Sequence, residues 1–480
     1  KARRRSTRRL GTVIDHDVIE RTLATALRTG AEFAEIYAED KRSTSVGLDD
    51  GRIEQVTSGR DRGVGIRVIR GETTGFAHTS DLSEAGLGTA AAAAAAAASQ
   101  GDVGVRTVEL TRRESQVVNE VEREPDTVPK ASKVELLQRI DGAARDVGPE
   151  VVQVSAGYGD SRKRVLVANS DGLLAQDDVV RVLARISVVA DGDTGMQTGF
   201  QSMGHTIGWE LFDPEHAGYV DVEALARDAA RQAIVKLKAR PAPSGEMPVV
   251  IKNGTGGVLF HEACGHGLEA DLVQKGASVY ADKVGELVAS PLVTLVDDGT
   301  MAREWGTLAI DDEGHPTQRN VLIEDGVLTD YLWDHLRSRK AGRAPSGNGR
   351  RQSYMHLPMV RMTNTFVLDG PDTPDDIISS TEHGVYVAVL GGGSVNTATG
   401  DFVFGMREAY LIENGQITEP LREGNLIGNG PKVLQDIDML ADDFAMGNPG
   451  TCGKDGQGVP VGDGQPTLRV KSLTIGGTAA

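Results

Sequence analysis

The chain contains few cysteines, no long apolar run and no excess of positive charge. Only two of its 480 residues are cysteine, which argues against a disulfide-built secreted scaffold and favours a reducing cytoplasm. No apolar run reaches the roughly 18 residues that a membrane helix needs, so we expect no membrane partner. Acidic residues outnumber basic ones by 69 to 51, and the net charge of −18 disfavours nucleic-acid binding, which requires a basic surface.

Positive charge is concentrated only at the start of the chain, in Lys1, Arg3, Arg4, Arg5, Arg8 and Arg9. A nucleic-acid arm or an export signal would be alternatives, but no apolar segment follows, as an export signal requires. Residues 1–10 are therefore predicted to be a disordered basic tail.

Two histidines flank a glutamate shortly after a strand-like run at 248–251. His261, Glu262 and His266 lie within the sequence FHEACGHG. Neutral imidazoles can hold a zinc ion and leave coordination positions open, while the carboxylate can accept a proton from the attacking water. The motif indicates a metallohydrolase, although such a pair can also arise by chance in a helix end built for close packing.

The spacing of these histidines differs from the usual H-E-x-x-H pattern. They are five residues apart rather than four, and a straight α-helix would separate their side chains by about 140°. A turn with i to i+5 hydrogen bonding would return both to one face. We therefore predict a locally widened helical turn across 261–266, eased by Gly265.

The two cysteines differ in their surroundings. Cys264 lies inside the histidine motif, and Cys452 lies in a glycine-rich turn, NPGTCGKDG, at 448–456. A thiolate at Cys452 could complete a His, His, Cys zinc site with the fourth position left to water. A buried structural cysteine is the alternative.

A series of short motifs runs through nearly all of 240–475. In order, they are 261–271 (HEACGHGLEAD), 298–300 (DGT), 310–314 (IDDEG), 316–319 (PTQR), 347–351 (GNGRR), 361–365 (RMTNT), 391–393 (GGG), 408–415 (EAYLIENG), 426–431 (LIGNGP) and 452–457 (CGKDGQ). In these motifs and their order, the sequence resembles the TldD branch of the TldD/PmbA family of zinc peptidases.

This resemblance implies one zinc ion per active site, held by His261, His266 and Cys452, with Glu262 as the catalytic carboxylate. It implies hydrolysis of unfolded or extended peptides, including leader segments of peptide antibiotics. It also implies pairing with a TldE (PmbA)-like subunit, with self-association as the alternative. Two other functions stay open from the residues: a non-catalytic peptide-binding scaffold, and a metal-dependent amidohydrolase of small or modified peptides.

The pattern of apolar residues predicts an α+β protein. It is expected to comprise an N-terminal domain at 11–240, for which a division at about 125/126 is open, and a C-terminal metallopeptidase domain at 241–480. The first is expected to be an antiparallel sheet with packed helices, and the second to be largely β with a metal-binding helix. Predicted helices are 17–28, 90–98, 133–144 and 222–239, and predicted strands are 35–39, 43–48, 63–69, 74–78, 151–156, 164–168 and 179–190.

Glycine-rich segments and several polar side chains invite further interpretation. The segment 254–257 lacks the third glycine of a dinucleotide fingerprint, which disfavours nucleotide binding. Small residues would instead let an extended peptide pair with the backbone as an added strand. Conceivable transition-state donors are His315, His335, His356, His383, Tyr331, Tyr354 and Arg361.

Overall fold

The structure, a computed structural model, describes residues 14–98, 108–113, 119–193 and 195–477. The predicted basic tail at 1–10 lies outside these residues. The fold is α+β, as the sequence predicts, and the strands form separate N-terminal and C-terminal sheets. Within the described ranges, no helix is both long enough and apolar enough to cross a membrane.

The N-terminal sheet consists of long strands joined by tight turns. Its strands are β1 (Phe33–Asp49), β2 (Arg52–Arg70), β3 (Thr73–Thr79), β4 (Thr111–Arg112), β5 (Val151–Asn169), β6 (Leu173–Ala190) and β7 (Gln197–His205). The order is β3-β2-β1-β5-β6-β4, with β7 also on β6, and every pair is antiparallel except β4 with β6.

The sequence predicts two short strands, 35–39 and 43–48, where the structure has the single strand β1, and two, 151–156 and 164–168, where it has β5. This part of the prediction is wrong. β1 runs without a break because Lys41 and Arg42 keep their pairing with β2 and β5. Both side chains are exposed. Polar residues in the middle of a long strand resemble a loop in the sequence, although the backbone ladder continues through them.

Alternate residues of this sheet face different partners. On β1, Ile36 and Ala38 pack beneath α1 (His16–Ala26) and α2 (Glu84–Ala97). Further along the same face, Val46 and Leu48 join the core under α3 (Lys130–Arg145) and α4 (Val222–Leu237). Tyr37, on the opposite face, packs with Ile310 and Tyr354 of the C-terminal half. Because successive side chains of a strand point to opposite faces, one face of the sheet packs against helices and the other against the C-terminal half.

The polyalanine helix α2 packs very closely on β3. A Cβ atom at Gly75 would lie 2.1 Å from the carbonyl oxygen of Ala94, so only glycine permits this approach. Replacing Gly75 with alanine should lower the unfolding free energy by about 1–3 kcal/mol, because the helix must move away. Thermal unfolding measures the loss. Gly88→Ala, at an open position on α2, should leave stability equal or raise it, and an unchanged Tm in Gly75→Ala would contradict this packing.

The C-terminal half is largely β, as predicted. Its strands are β8 (Arg240–Pro241), β9 (Gly245–Ile251), β10 (Leu295–Asp298), β11 (Arg319–Glu324), β12 (Val327–Leu328), β13 (Gly349–Arg350), β14 (Met359–Val360), β15 (Asn364–Val367), β16 (His383–Val395), β17 (Asp401–Glu413), β18 (Gln416–Arg422), β19 (Gly424–Asn429), β20 (Ile437–Leu440), β21 (Ala445–Met446), β22 (Gly450–Lys454), β23 (Gln457–Gln465) and β24 (Leu468–Gly476). Its helices are α5 (Gly257–Phe260), α6 (Ala270–Gln274), α7 (His335–Lys340), α8 (Pro374–Ser379) and α9 (Gly430–Gln435).

Five strands of this half close into a ring, in the order β16-β9-β24-β19-β17, because β16 also pairs with β17. A second sheet has the order β12-β11-β10-β15-β23-β21, with β22 added to β23. Leu259 and Phe260 of helix α5 belong to the same buried core as Val249 and Ile251 of the ring. The segment after α5 is therefore fixed between the two sheets.

Buried ion pairs hold the two halves together. Arg67 of β2 contacts Glu35 at 2.8 Å and Glu313 at 2.7 Å, and Arg351 contacts the other oxygen of Glu35. These side chains are at most 3% exposed. Losing one partner would leave an uncompensated buried charge, so separating the two halves at this junction would be costly.

Candidate metal centre

The two histidines lie on the widened helical turn that their spacing predicts. Helix α5 continues into a single π-type turn at His261–Gly265 and then into a 3-10 turn at His266–Leu268. The two imidazole rings consequently lie on the same side of the turn, edge to face, with 5.0 Å between their centroids and an interplanar angle of 84°. Gly265 is needed for packing as well, since a Cβ there would lie 2.2 Å from the sulfur of Met362.

A hairpin far along the chain brings in the thiol. β22 and β23 are joined by Asp455 and Gly456, both with positive φ, which is the geometry of a two-residue turn with primed handedness. Cys452 on β22 is buried, and its sulfur lies 3.3 Å from Nε2 of His266. Arg361 is fully buried and donates a hydrogen bond to the carbonyl oxygen of Cys452, which helps to hold the hairpin in place.

Three donor atoms therefore converge, as the sequence predicts for His261, His266 and Cys452. One ligand atom from each lies within 4.8 Å of the others, and all three residues are buried. Zinc bond lengths to nitrogen and sulfur place two donors of one tetrahedral ion about 3.5 Å apart, close to the observed 3.3 Å. That these residues bind a metal stays a prediction.

His261 gives an independent indication that the site fits a metal ion. Both ring nitrogens are buried and have no hydrogen-bond partner in the structure. Such orphaned polar atoms are costly, so they call for a specific explanation. An ion shared with a thiolate and a second imidazole would satisfy one of them, and this donor set suits zinc.

The charges at the centre favour the metal-binding form of the thiol. Burial alone would raise the pKa of Cys452, but His261 and His266 outweigh it and lower the pKa to about 4. Burial would likewise lower the pKa of His266, yet Glu269 and the thiolate raise it well above its usual range. Because the pKa of Cys452 lies below neutral pH, its thiolate predominates there, and the thiolate is the form that ligates metals.

Glu262 lies beside the three donors. Its Oε2 is 4.0 Å from Nε2 of His266, and its side chain is 24% exposed, so the carboxylate has access to solvent. A carboxylate next to the donors but open to water can exchange protons with a nucleophile bound there.

Sequence reasoning missed two carboxylates around the centre. Asp463 of β23 lies close enough to His261 and Glu262 to interact with their charges, and burial raises its pKa to about 7. No spacing points to Asp463, because it reaches the site through the parallel pairing of β23 with β15. Glu269 lies three residues after His266, a helical spacing that could have revealed it.

Glu269 is fully buried behind the histidine. Its Oε2 lies 3.2 Å from Nδ1 of His266 and 2.7 Å from the Lys454 ammonium. Burial alone would raise the pKa of Glu269, but His266 and Lys454 outweigh it and lower the pKa to about 2. The carboxylate is therefore ionised across the physiological range.

The other cysteine points away from the centre. The sulfur of Cys264 donates to the carbonyl oxygen of Phe260 at 3.1 Å, and the residue packs in the apolar core. Burial raises the pKa of its thiol to about 12. Cys264 is thus a structural residue, although it lies between the two histidines in sequence.

Some of the other candidate donors have partners elsewhere. The rings of His315 and His335 stack on each other with 5.5 Å between centroids, and His335 also stacks on Phe33 at the junction of the two halves. The hydroxyl group of Tyr331 donates to the carbonyl oxygen of Tyr280 at 2.6 Å. These contacts give the three residues structural roles.

Family models match most of the chain. Residues 34–98, 123–237 and 244–477 match domain 1, the central domain and the C-terminal domain of the PmbA/TldA metallopeptidases. A Haemophilus influenzae protein named a metalloprotease TldD homolog is 42% identical over 454 residues, covering 93% of each chain. The chain belongs to the PmbA/TldD family of metallopeptidases.

Two other members of the family extend the comparison. A Saccharolobus solfataricus protein named a zinc metalloprotease TldD homolog is 28% identical and covers 93% of this chain and 97% of its own. The crystal structure of TldE from Thermococcus kodakarensis shares the fold, with a TM-score of 0.74, 20% identity and coverage of 95% and 99%. The PmbA/TldD resemblance found in the motifs is therefore confirmed, and the chain is a metalloprotease rather than a non-catalytic scaffold.

Proposed function

We propose that this PmbA/TldD chain is a zinc-dependent peptidase that hydrolyses peptide bonds in extended or unfolded peptides. His261, His266 and Cys452 hold one zinc ion, and Glu262 acts as the general base. The convergence of three buried donor atoms within 4.8 Å, with Glu262 beside them, carries this proposal. The zinc metalloprotease name of the Saccharolobus relative supports the choice of metal.

The chemistry of the chain's own residues follows from this placement. A divalent ion bound there supplies Lewis-acid activation of water and of the scissile carbonyl group. Glu262 accepts a proton from the water as its oxygen bonds to the carbonyl carbon. It then passes that proton to the amine nitrogen as the carbon–nitrogen bond breaks. Because His261 and Cys452 are buried, electrostatic interactions at these donors are stronger than they would be in bulk water.

An extended substrate suits the strand that carries the thiol. β22 pairs with β23 along one edge, and no strand in the described ranges pairs with its other edge. Thr451 and Gly453 are exposed on either side of Cys452, and Gly453 has open space where a side chain would be. A peptide can add here as a strand through main-chain hydrogen bonds, which bring its carbonyl groups next to the metal donors.

A partner subunit and a location complete the proposal. The structural likeness to TldE is consistent with assembly between related chains of this family, so a TldE/PmbA-like subunit is the proposed partner and self-association the alternative. Both cysteines are free, which suits a reducing cytoplasm.

Metal removal tests the proposal directly. The protein as purified should contain close to one zinc ion per chain by elemental analysis, and its peptidase activity should disappear after treatment with a strong chelator. Activity should return on adding zinc, because the three donors remain in the fold. A chelator-treated protein that is free of metal and still cleaves an extended peptide would contradict the proposal.

A further inference from the structure

A buried lysine connects the two segments that carry the metal donors. Lys454 lies two residues after Cys452, so both side chains project from the same face of β22. Its ammonium group donates to Oε2 of Glu269 at 2.7 Å, to Oδ1 of Asp271 at 2.7 Å and to the carbonyl oxygen of Val360 at 3.1 Å. Each of its three N–H bonds therefore has a hydrogen-bond acceptor, as a side chain that is only 9% exposed requires.

Glu269 links Lys454 to His266, a histidine of the centre. The same oxygen that accepts from Lys454 lies 3.2 Å from Nδ1 of His266. Because Nδ1 is engaged, the opposite nitrogen, Nε2, is left to face Cys452 at 3.3 Å. A ligand histidine held in this way by a carboxylate has its tautomer and ring orientation fixed before the metal arrives.

The charges of this group also suit a divalent cation. Lys454 neutralises one of the two carboxylates, Glu269 and Asp271, and one negative charge remains. The thiolate of Cys452 adds a further negative charge, so the surroundings of the donors are net negative, which favours a cation. Glu269 and Asp271 are 0% and 6% exposed, so their charges are screened much less than those of surface groups.

We infer that Lys454 and Glu269 are positioning residues, which hold the β22–β23 hairpin against the helical turn and orient His266 toward Cys452. This inference rests on the proposed zinc site. Its consequence is that the strength of zinc binding depends on a lysine and a glutamate that are not themselves among the proposed ligands. A purely structural ion pair would stabilise the fold without affecting zinc.

Four variants of the full chain test the inference. Glu269→Gln keeps size and an acceptor oxygen but removes the charge, Lys454→Met removes the anchor, and Lys454→Arg preserves it in part. Lys471→Met is the matched control, since Lys471 is an exposed residue of β24 and its substitution breaks an ion pair with Asp436. For each variant, competition with a chelator gives the zinc affinity, and the visible spectrum of the cobalt-substituted protein reports the geometry of the metal site. The Tm with and without zinc gives the stability.

Glu269→Gln and Lys454→Met should bind zinc about 10–100-fold more weakly than the parent and change the cobalt spectrum. Lys454→Arg should recover part of the affinity, and Lys471→Met should match the parent. Equal losses of Tm with and without zinc, at unchanged zinc affinity, would overturn the inference. Glu269→Gln decides alone if Lys454→Met does not fold. If the parent binds zinc no better than Cys452→Ala, the metal site itself is wrong.

Discussion

Glu262→Gln should reduce kcat for an extended peptide by about 10²–10⁴-fold, the usual contribution of a general base. The amide cannot accept the proton of the attacking water, although it occupies the same space. Zinc content should stay at the parent level, because the three proposed ligands are untouched. Initial rates and elemental analysis of the same purified samples measure both quantities.

Glu324→Gln provides the control for this substitution. Glu324 is an exposed residue at the end of β11, so the same chemical change there should leave both the rate and the zinc content at parent values. A Glu262→Gln enzyme that retains more than about a tenth of the parent rate would show that another group is the base. If zinc were lost as well, Glu262 would have to be a ligand.

The part of the site that the sequence could predict is the part with local geometry. The five-residue spacing of His261 and His266 requires a wider turn than an α-helix gives, and the π-type turn is present. Outside the site, the same is true of two hairpins: the dipeptides Asp325-Gly326 and Asn414-Gly415 are typical of tight turns between strands, and all four residues have positive φ in the structure. In each case a short-range steric rule determines the outcome.

Contacts that depend on pairing between distant strands could not be predicted in the same way. Asp463 reaches His261 only because β23 lies parallel to β15, and neither strand indicates that register by itself. Lys454 and Glu269 are different, since each lies at a regular spacing from a proposed ligand. Recognising them required knowledge that the hairpin and the helical turn face each other, which the tertiary structure supplies.

Cys452→Ala should weaken zinc binding by more than about 100-fold, because even partners behind a metal ligand contribute about 10–100-fold. The substitution removes one of three protein donors and the negative charge that the thiolate supplies. Peptidase activity should fall with the zinc content and recover in part only at high zinc concentration. Chelator competition gives the affinity, and loss of the thiolate absorption from the cobalt-substituted protein identifies the missing ligand.

Cys264→Ala is the matched control, because it removes the other cysteine of the chain, which lies on the helical turn between His261 and His266. Its sulfur faces the carbonyl oxygen of Phe260 and the apolar core, so this variant should lose some stability but keep its zinc and its cobalt spectrum. If instead Cys452→Ala kept the parent affinity, the third ligand would be another group. Asp463, beside His261, would then be the first residue to substitute. The contrast between two cysteines, one buried in the core and one 3.3 Å from His266, therefore separates loss of a ligand from loss of packing.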